Sequence, residues 1–341
     1  MFKTNRAVIP AAVIFFLALF LCAGAGRALA GPSQLIKFAT VAPEGSTWIK
    51  HLKALDRDTI RPKSDGRLGL RIYAGGIVGD ELNVLKKIRI GQIHCAAFSG
   101  VGFGQILPMV RVLDLPFLFR THEETDLVHR NLKGYFAEEF RKRGFELLSW
   151  AEVGNVHLFS KRPVRTVKDL SGLKVWTWSG DPIAKETFAQ MGINPIPLAI
   201  TDVTTALNTG MIDTVYAPPL GALALQWHSP MKYMTALPLV HSTGAVLISS
   251  KYFKRLPANL QNLLLHAFEE SMASLTSRLR EQNRETVQLL QKEGISVVPA
   301  PEGADLEEFF AVHKRVADEL AGKIYSRELL DRVYKILKRP R

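Results

Sequence analysis

Short runs of apolar and β-branched residues alternate with segments of helical periodicity along most of the chain, and this restricts the fold more than any other feature. Residues 35–41 (LIKFATV) read as a strand that Pro43-Glu44-Gly45 ends, and Ser46 is placed to cap a helix reaching about residue 60. Residues 68–73 alternate as a second strand, and Gly75-Gly76-Ile77-Val78-Gly79 turns the chain into a helix over 80–90. A short buried strand over 94–98, a helix over 122–143 and strands over 146–151 and 156–160 follow. The second half repeats the pattern with a strand over 173–178, helices over 182–191 and 202–209, and strands over 214–216 and 244–249. Pro257 then opens a long helix to about residue 292, with Leu264, Phe268, Met272 and Leu275 at helical spacing. A strand over 295–298 and two helices close the chain.

Alternation of this kind predicts an α/β architecture with mostly parallel sheets. At ~100–200 residues per domain, a chain of 341 residues suggests two domains. Ligands of open α/β sheets bind at the carboxyl ends of the strands, so a cleft between two such domains is the natural place for a small molecule. A protein whose ligand touches both domains is expected to be open when empty and closed when filled.

The amino terminus begins with Lys3 and Arg6, continues as an apolar run over 7–25, and reaches Ala28-Leu29-Ala30 before Gly31-Pro32. This is the pattern of a secretory signal peptide over residues 1–30, with cleavage after Ala30 and export to the periplasm. Leu21 before Cys22 is too large for lipoprotein processing, so after cleavage Cys95 stands alone, and burial in a strand is its expected role. The net charge of +12 permits contact with anionic surfaces. The basic residues are scattered, which argues against nucleic-acid binding.

Few motifs suggest chemistry. Gly100-Val101-Gly102-Phe103-Gly104 follows a strand, but Gln105 stands where a dinucleotide loop needs its third glycine, so a tight turn presenting backbone N–H groups is the better reading. His122, Asp126 and His129 are spaced to share a helix face and to hold a divalent cation, although a solvated face with Glu123 and Glu124 at the helix start is the plainer expectation. No G-x-S-x-G, HExxH or paired-cysteine motif occurs. The aromatic residues are more informative. Trp176 and Trp178 lie on one face of their strand with Thr177 opposite, Tyr216 ends another strand, and Trp227 follows soon after. At strand carboxyl ends they are candidates for a pocket wall.

Several segments together resemble a known family. They are IKFATVAPEGSTW, which contains Trp48, the turn at Gly75 to Asp80, and Leu113-Asp114-Leu115-Pro116-Phe117-Leu118-Phe119. Asp169-Leu170-Ser171-Gly172-Leu173-Lys174-Val175, Gly192-Ile193-Asn194-Pro195, and Ala206 through Asp213 (ALNTGMID) complete the set. In this order and spacing the chain resembles the substrate-binding subunits of tripartite ATP-independent periplasmic (TRAP) transporters, solute-binding family 7. The resemblance implies a two-domain periplasmic binding protein fold with a ligand cleft between the lobes and a long helix crossing both. It places lobe I at 31–155 plus about 243–280 and lobe II at 156–242 plus about 281–341. It implies capture of a small organic ligand and delivery to integral membrane permease subunits, with no catalysis, no cofactor and no metal. A ligand sensor or lipid-like shuttle reusing the fold is the alternative, and a periplasmic enzyme a more distant one.

The resemblance also points to a divergent site. The arginine that usually clamps the substrate carboxylate after Gly-Leu-Lys-Val is Trp176 here. A second usual arginine falls on Val156, and a usual asparagine on Ala217. The implied pocket is therefore lined by Trp176, Trp178, Val156, Tyr216, Ala217, Trp48 and Trp227. In such a site the Trp176 indole would offer one N–H in place of a charged fork, with Lys174, Arg162 or Arg165 as replacement cations. The expected ligand is largely apolar or aromatic, a monocarboxylate among the options, because a carboxylate buried without a cation costs several kcal/mol.

Overall fold

The computed structural model describes residues 32–339, so the expected signal peptide lies outside the described residues. Strands β1 (Gln34–Ala39), β2 (Leu68–Tyr73) and β3 (Cys95–Ser99) form a parallel group with β1 in the middle. Helix α1 (Thr47–Leu55) starts where Ser46 Oγ accepts from the Ile49 amide, and α2 (Glu81–Arg89) where Asp80 accepts from the Glu81 amide. Thr121 caps α3 (His122–Lys142) in the same way, with Glu123 and Glu124 in its first turn.

The centre of the molecule departs from the parallel arrangement that the alternation predicts. Strand β4 (Phe145–Ser160) runs unbroken through what reads as two strands, with bulges at Leu147/Ser149 and Glu152/Gly154. Gly154 takes φ +123° in the second bulge, so this glycine bends the strand without ending it. The first part of β4 pairs antiparallel with β9 (Val240–Ser249), which pairs antiparallel with β3. The last part pairs antiparallel with β7 (Thr214–Ala217) and β8 (Tyr233–Thr235), and β10 (Ser296–Val298) lies parallel to β8. β4 and β9 thus cross from one half of the sheet to the other. Strands β5 (Trp176–Trp178) and β6 (Ile196–Leu198) pair in parallel and reach β7 through a Val175–Thr214 bridge.

Helix α4 (Ala258–Lys292) begins after Pro257 and spans both halves. Its Leu264, Phe268, Met272 and Leu275 pack with Ile36 and Phe38, the rings of Phe38 and Phe268 stacking at 6.0 Å. Its Leu290 joins a second apolar cluster around Phe159, Trp176 and Trp227. A third cluster holds Phe136 and Phe140 of α3, Phe188, and residues of the closing helices Gly303–Leu320 and Arg327–Ile336, such as Phe309 and Val333. Cys95 is fully buried in β3, and burial pushes its thiol pKa well up.

Candidate functional site

The two halves enclose a cleft of about 420 Å³ at the ends of β1, β3 and β7, floored by the middle of β4 and β9. Trp48, Val156, Trp176, Trp178, Tyr216, Ala217 and Trp227 all line this one cavity, although they come from five separate stretches of chain. Trp176 stacks on Tyr216 at 4.8 Å and meets Trp227 edge-on at 5.2 Å. Thr177 points away from the aromatic wall into a neighbouring recess, as strand alternation requires.

The polar atoms of the wall are mostly spent inside the protein. Trp176 Nε1 donates to the Leu198 carbonyl at 3.2 Å, so it is not the free donor the sequence suggests. Trp178 Nε1 donates to Asp80 at 3.0 Å, Trp227 Nε1 to Thr204 at 3.2 Å, and the Trp178 amide to the Tyr216 hydroxyl at 3.2 Å. Burial holds the Tyr216 hydroxyl far up its pKa range. The aromatic part of the wall therefore presents mainly ring faces to the cavity, its polar atoms engaged within the protein.

The expected replacement cations are elsewhere. Lys174 donates to the Gly210 carbonyl and Arg162 to the Ser171 carbonyl, and neither they nor Arg165 reaches the cleft. The cation that does line it is Arg111, in the turn Pro108–Asp114. Arg111 contacts Asp181 at 2.8 Å and Asp114 at 2.9 Å, and all three side chains are buried. The Asp114 contact lies off the N–H axis, which leaves Arg111 Nε and Asp114 Oδ2 without a hydrogen bond. Asp181 also caps the helix Pro182–Gln190, accepting from the amides of Ile183 and Ala184. Burial works against the Arg111 charge, but Asp181 and Asp114 more than offset it. Burial pushes Asp114 up to about 7 against the pull of Arg111.

Glu81 is the fourth charged group on the cavity wall. It accepts from the Ser99 amide and hydroxyl and from the Gly102 amide, each at 2.8 Å. Burial still raises it to about 7, opposed by those hydrogen bonds. Within the glycine cluster the Gly102 amide, one of the N–H groups expected to face a ligand, is thus taken by Glu81. The glycines serve close packing. A Cβ on Gly100 would sit 2.1 Å from Asp114 Oδ2, on Gly102 2.3 Å from the Phe98 ring, and on Gly104 2.6 Å from Arg111 Cδ. A charged i,i+3 pair inside the apolar run Leu107–Phe119 was the available signal for this cluster, and its partner Asp181 lies 70 residues away.

His122, Asp126 and His129 do not form the shared set that their spacing suggests. Asp126 is held by Arg280 of α4 at 2.6 and 2.9 Å, and His129 turns inward to Thr243 and stacks on Trp150 at 5.1 Å. His122 lies beside Glu152 of β4 and His241 of β9, its ring 5.8 Å from that of His241.

A bilobal α/β molecule with a closed-in cleft at the crossing strands is the architecture of a periplasmic solute-binding protein. The chain belongs to the bacterial extracellular solute-binding proteins of family 7, whose sequence profile matches residues 38–323. It is 28% identical over 245 residues to a solute-binding protein of Verminephrobacter eiseniae, covering 70% of this chain and 72% of that one. It is 25% identical over 250 residues to the 2,3-diketo-L-gulonate-binding periplasmic protein of Escherichia coli, with 71% and 74% covered. A solved TRAP periplasmic solute-binding protein of Bordetella bronchispeptica superposes with a TM-score of 0.81 at 26% identity, covering 88% of this chain and 98% of that one. The chain is a solute-binding protein of the TRAP type and not an enzyme. Among the described residues no helix is long and apolar enough to cross a membrane.

Proposed function

We propose that this protein captures a small organic ligand with substantial apolar or aromatic surface, a monocarboxylate among the candidates, and hands it to the membrane permease of a TRAP transporter. The observation that carries this reading is the pairing of Arg111. Among the described residues lining the cleft it is the one cation, and Asp114 and Asp181 already hold it. An incoming carboxylate would have to displace one of them or remain without a charged partner, at a cost of several kcal/mol. Apolar surface set against Trp176, Trp178 and Trp48 gains about 25 cal/mol per Å² buried. A polar sugar acid of the kind named for the Escherichia coli relative has little such surface to offer.

Titration calorimetry with succinate, a sugar acid, and a series of aromatic and fatty acids tests the reading. Binding confined to the apolar acids or their neutral analogues is the expected result. Micromolar binding of succinate or the sugar acid to the unmodified protein overturns it. Trp178→Leu should weaken the apolar ligand, because it removes ring surface from the wall. Small-angle scattering should show a smaller radius on saturation, since the cavity is lined from both halves.

A further inference from the structure

Outside the cleft, three side chains aim unpartnered atoms at one point. His122 Nδ1 at the start of α3, Glu152 Oε1 in the bulge of β4, and His241 Nε2 on β9 all lack a hydrogen bond. His122 Nδ1 lies 3.8 Å from Glu152 Oε1, His241 Nε2 lies 3.6 Å from Glu152 Oε2, and the three donor atoms fall within 4.8 Å of one another. Glu152 and His241 are almost wholly buried, at 4% and 3% exposure. The His122 side chain keeps 28% exposure and offers a way in from solvent.

The proton positions follow from the neighbours. His241 Nδ1 lies 3.1 Å from the Asn155 carboxamide oxygen, which can only accept, so the imidazole carries its proton on Nδ1 and presents the Nε2 lone pair inward. Glu152 Oε2 accepts from Arg280 Nε and Nη2 at 2.9 and 2.7 Å, which leaves Oε1 as the free oxygen. His122 Nδ1 has no hydrogen-bond partner either, and with the proton on its Nε2 the three lone pairs converge, an arrangement that costs energy when buried and that a cation resolves.

We propose that His122, Glu152 and His241 form a binding site for a divalent transition metal of the zinc type. Two imidazoles and one carboxylate are a donor set that zinc accepts, with a water in the fourth position on the exposed His122 side. Zinc needs donors at about 2.0–2.2 Å, so the three side chains close in by about 1 Å each from their metal-free positions. The His241–Asn155 hydrogen bond fixes the ring as outer partners of metal-bound histidines do. Arg280 stands beside the site, but Asp126 and Glu152 together outweigh its single charge and leave room for a dication. A bound ion would tie the start of α3 to both crossing strands.

The full mature chain, stripped with a chelator, is dialysed against Co²⁺ and then Zn²⁺. One Co²⁺ per chain with the visible bands of a four-coordinate nitrogen and oxygen site, displaced by Zn²⁺, is expected, and Zn²⁺ should raise the melting temperature. His122→Gln removes a ligand at the partly exposed position, so its melting temperature in chelator should match the parent while the bands and the zinc response disappear. Asn155→Ala keeps all three ligands and should weaken binding about 10–100-fold. Absence of saturable Co²⁺ binding, or binding that His122→Gln leaves unchanged, overturns the proposal, the first outcome meaning that water alone fills the gap.

Discussion

Arg111 and Arg280 each stand between two carboxylates, and the surroundings make the two clusters behave differently. Around Arg111 every member is buried, with 5%, 7% and 8% side-chain exposure for Arg111, Asp114 and Asp181. Around Arg280 one acid, Asp126, is 44% exposed and the other, Glu152, only 4%. Both trios carry a formal excess of one negative charge. In the cleft all three side chains are almost wholly buried, and burial lifts Asp114 towards neutrality. At the second site Asp126 is solvated and hydrogen-bonded to Arg280, which holds its carboxyl below the usual range. Glu152, buried beside it, is raised by desolvation against the same arginine. Composition alone does not set the protonation of a charged trio; access to water does.

The largest expected effect separates the two clusters directly. Arg111→Met leaves two buried carboxylates without a cation and should cost about 3–5 kcal/mol in urea unfolding. A loss below about 1 kcal/mol, the level of a surface pair, would show that the cleft cluster is better hydrated than its geometry says. Arg280→Met strands one buried acceptor, since Asp126 turns to solvent, and should cost about 1–3 kcal/mol. Equal losses from the two arginines would erase the distinction drawn between them.

The pH dependence sharpens the comparison further. Asp114 has a folded pKa of about 7, above that of an ordinary carboxyl, so the native state binds the proton more tightly than the unfolded chain. Its contribution to stability is complete below the ordinary carboxylate range and is lost as pH rises through about 7. Asp114→Asn should show a shallower decline, with Glu81, also raised to about 7, supplying what remains, and a comparison of unfolding free energies for the two proteins over that window reveals the difference. Parallel curves would rule out the elevated pKa. The smallest effect is expected from Asp126→Asn, below about 1 kcal/mol and fading in high salt, because the pair is partly exposed.

Local features were legible in the amino-acid sequence because they depend on residues a few positions apart. Ser46 and Thr121 cap the helices they precede, Pro257 opens the long helix, and Trp176 and Trp178 face one way because strand side chains alternate. The ordered motifs from Ile36 onward were enough to place the chain in its family, and the family carries the bilobal fold with it. Features that depend on chain closure were not legible. The bend at Gly154 looked like a strand end because a bulge is visible only beside its partner strand. The antiparallel centre arises because β9 returns between β3 and β4 after a long excursion through the other half.

The cleft shows the same division at the level of single atoms. Its aromatic wall could be read from residue types, since large rings near strand ends have few other places to go. Whether the Trp176 N–H faces a ligand or the Leu198 carbonyl depends on strand β6, twenty-two residues on. Arg111 and Asp181 meet across 70 residues, and His122, Glu152 and His241 converge from three elements that no periodicity connects. Sequence spacing determines which side of an element a group occupies. Only the packed fold decides which other group, and how much water, it finds there.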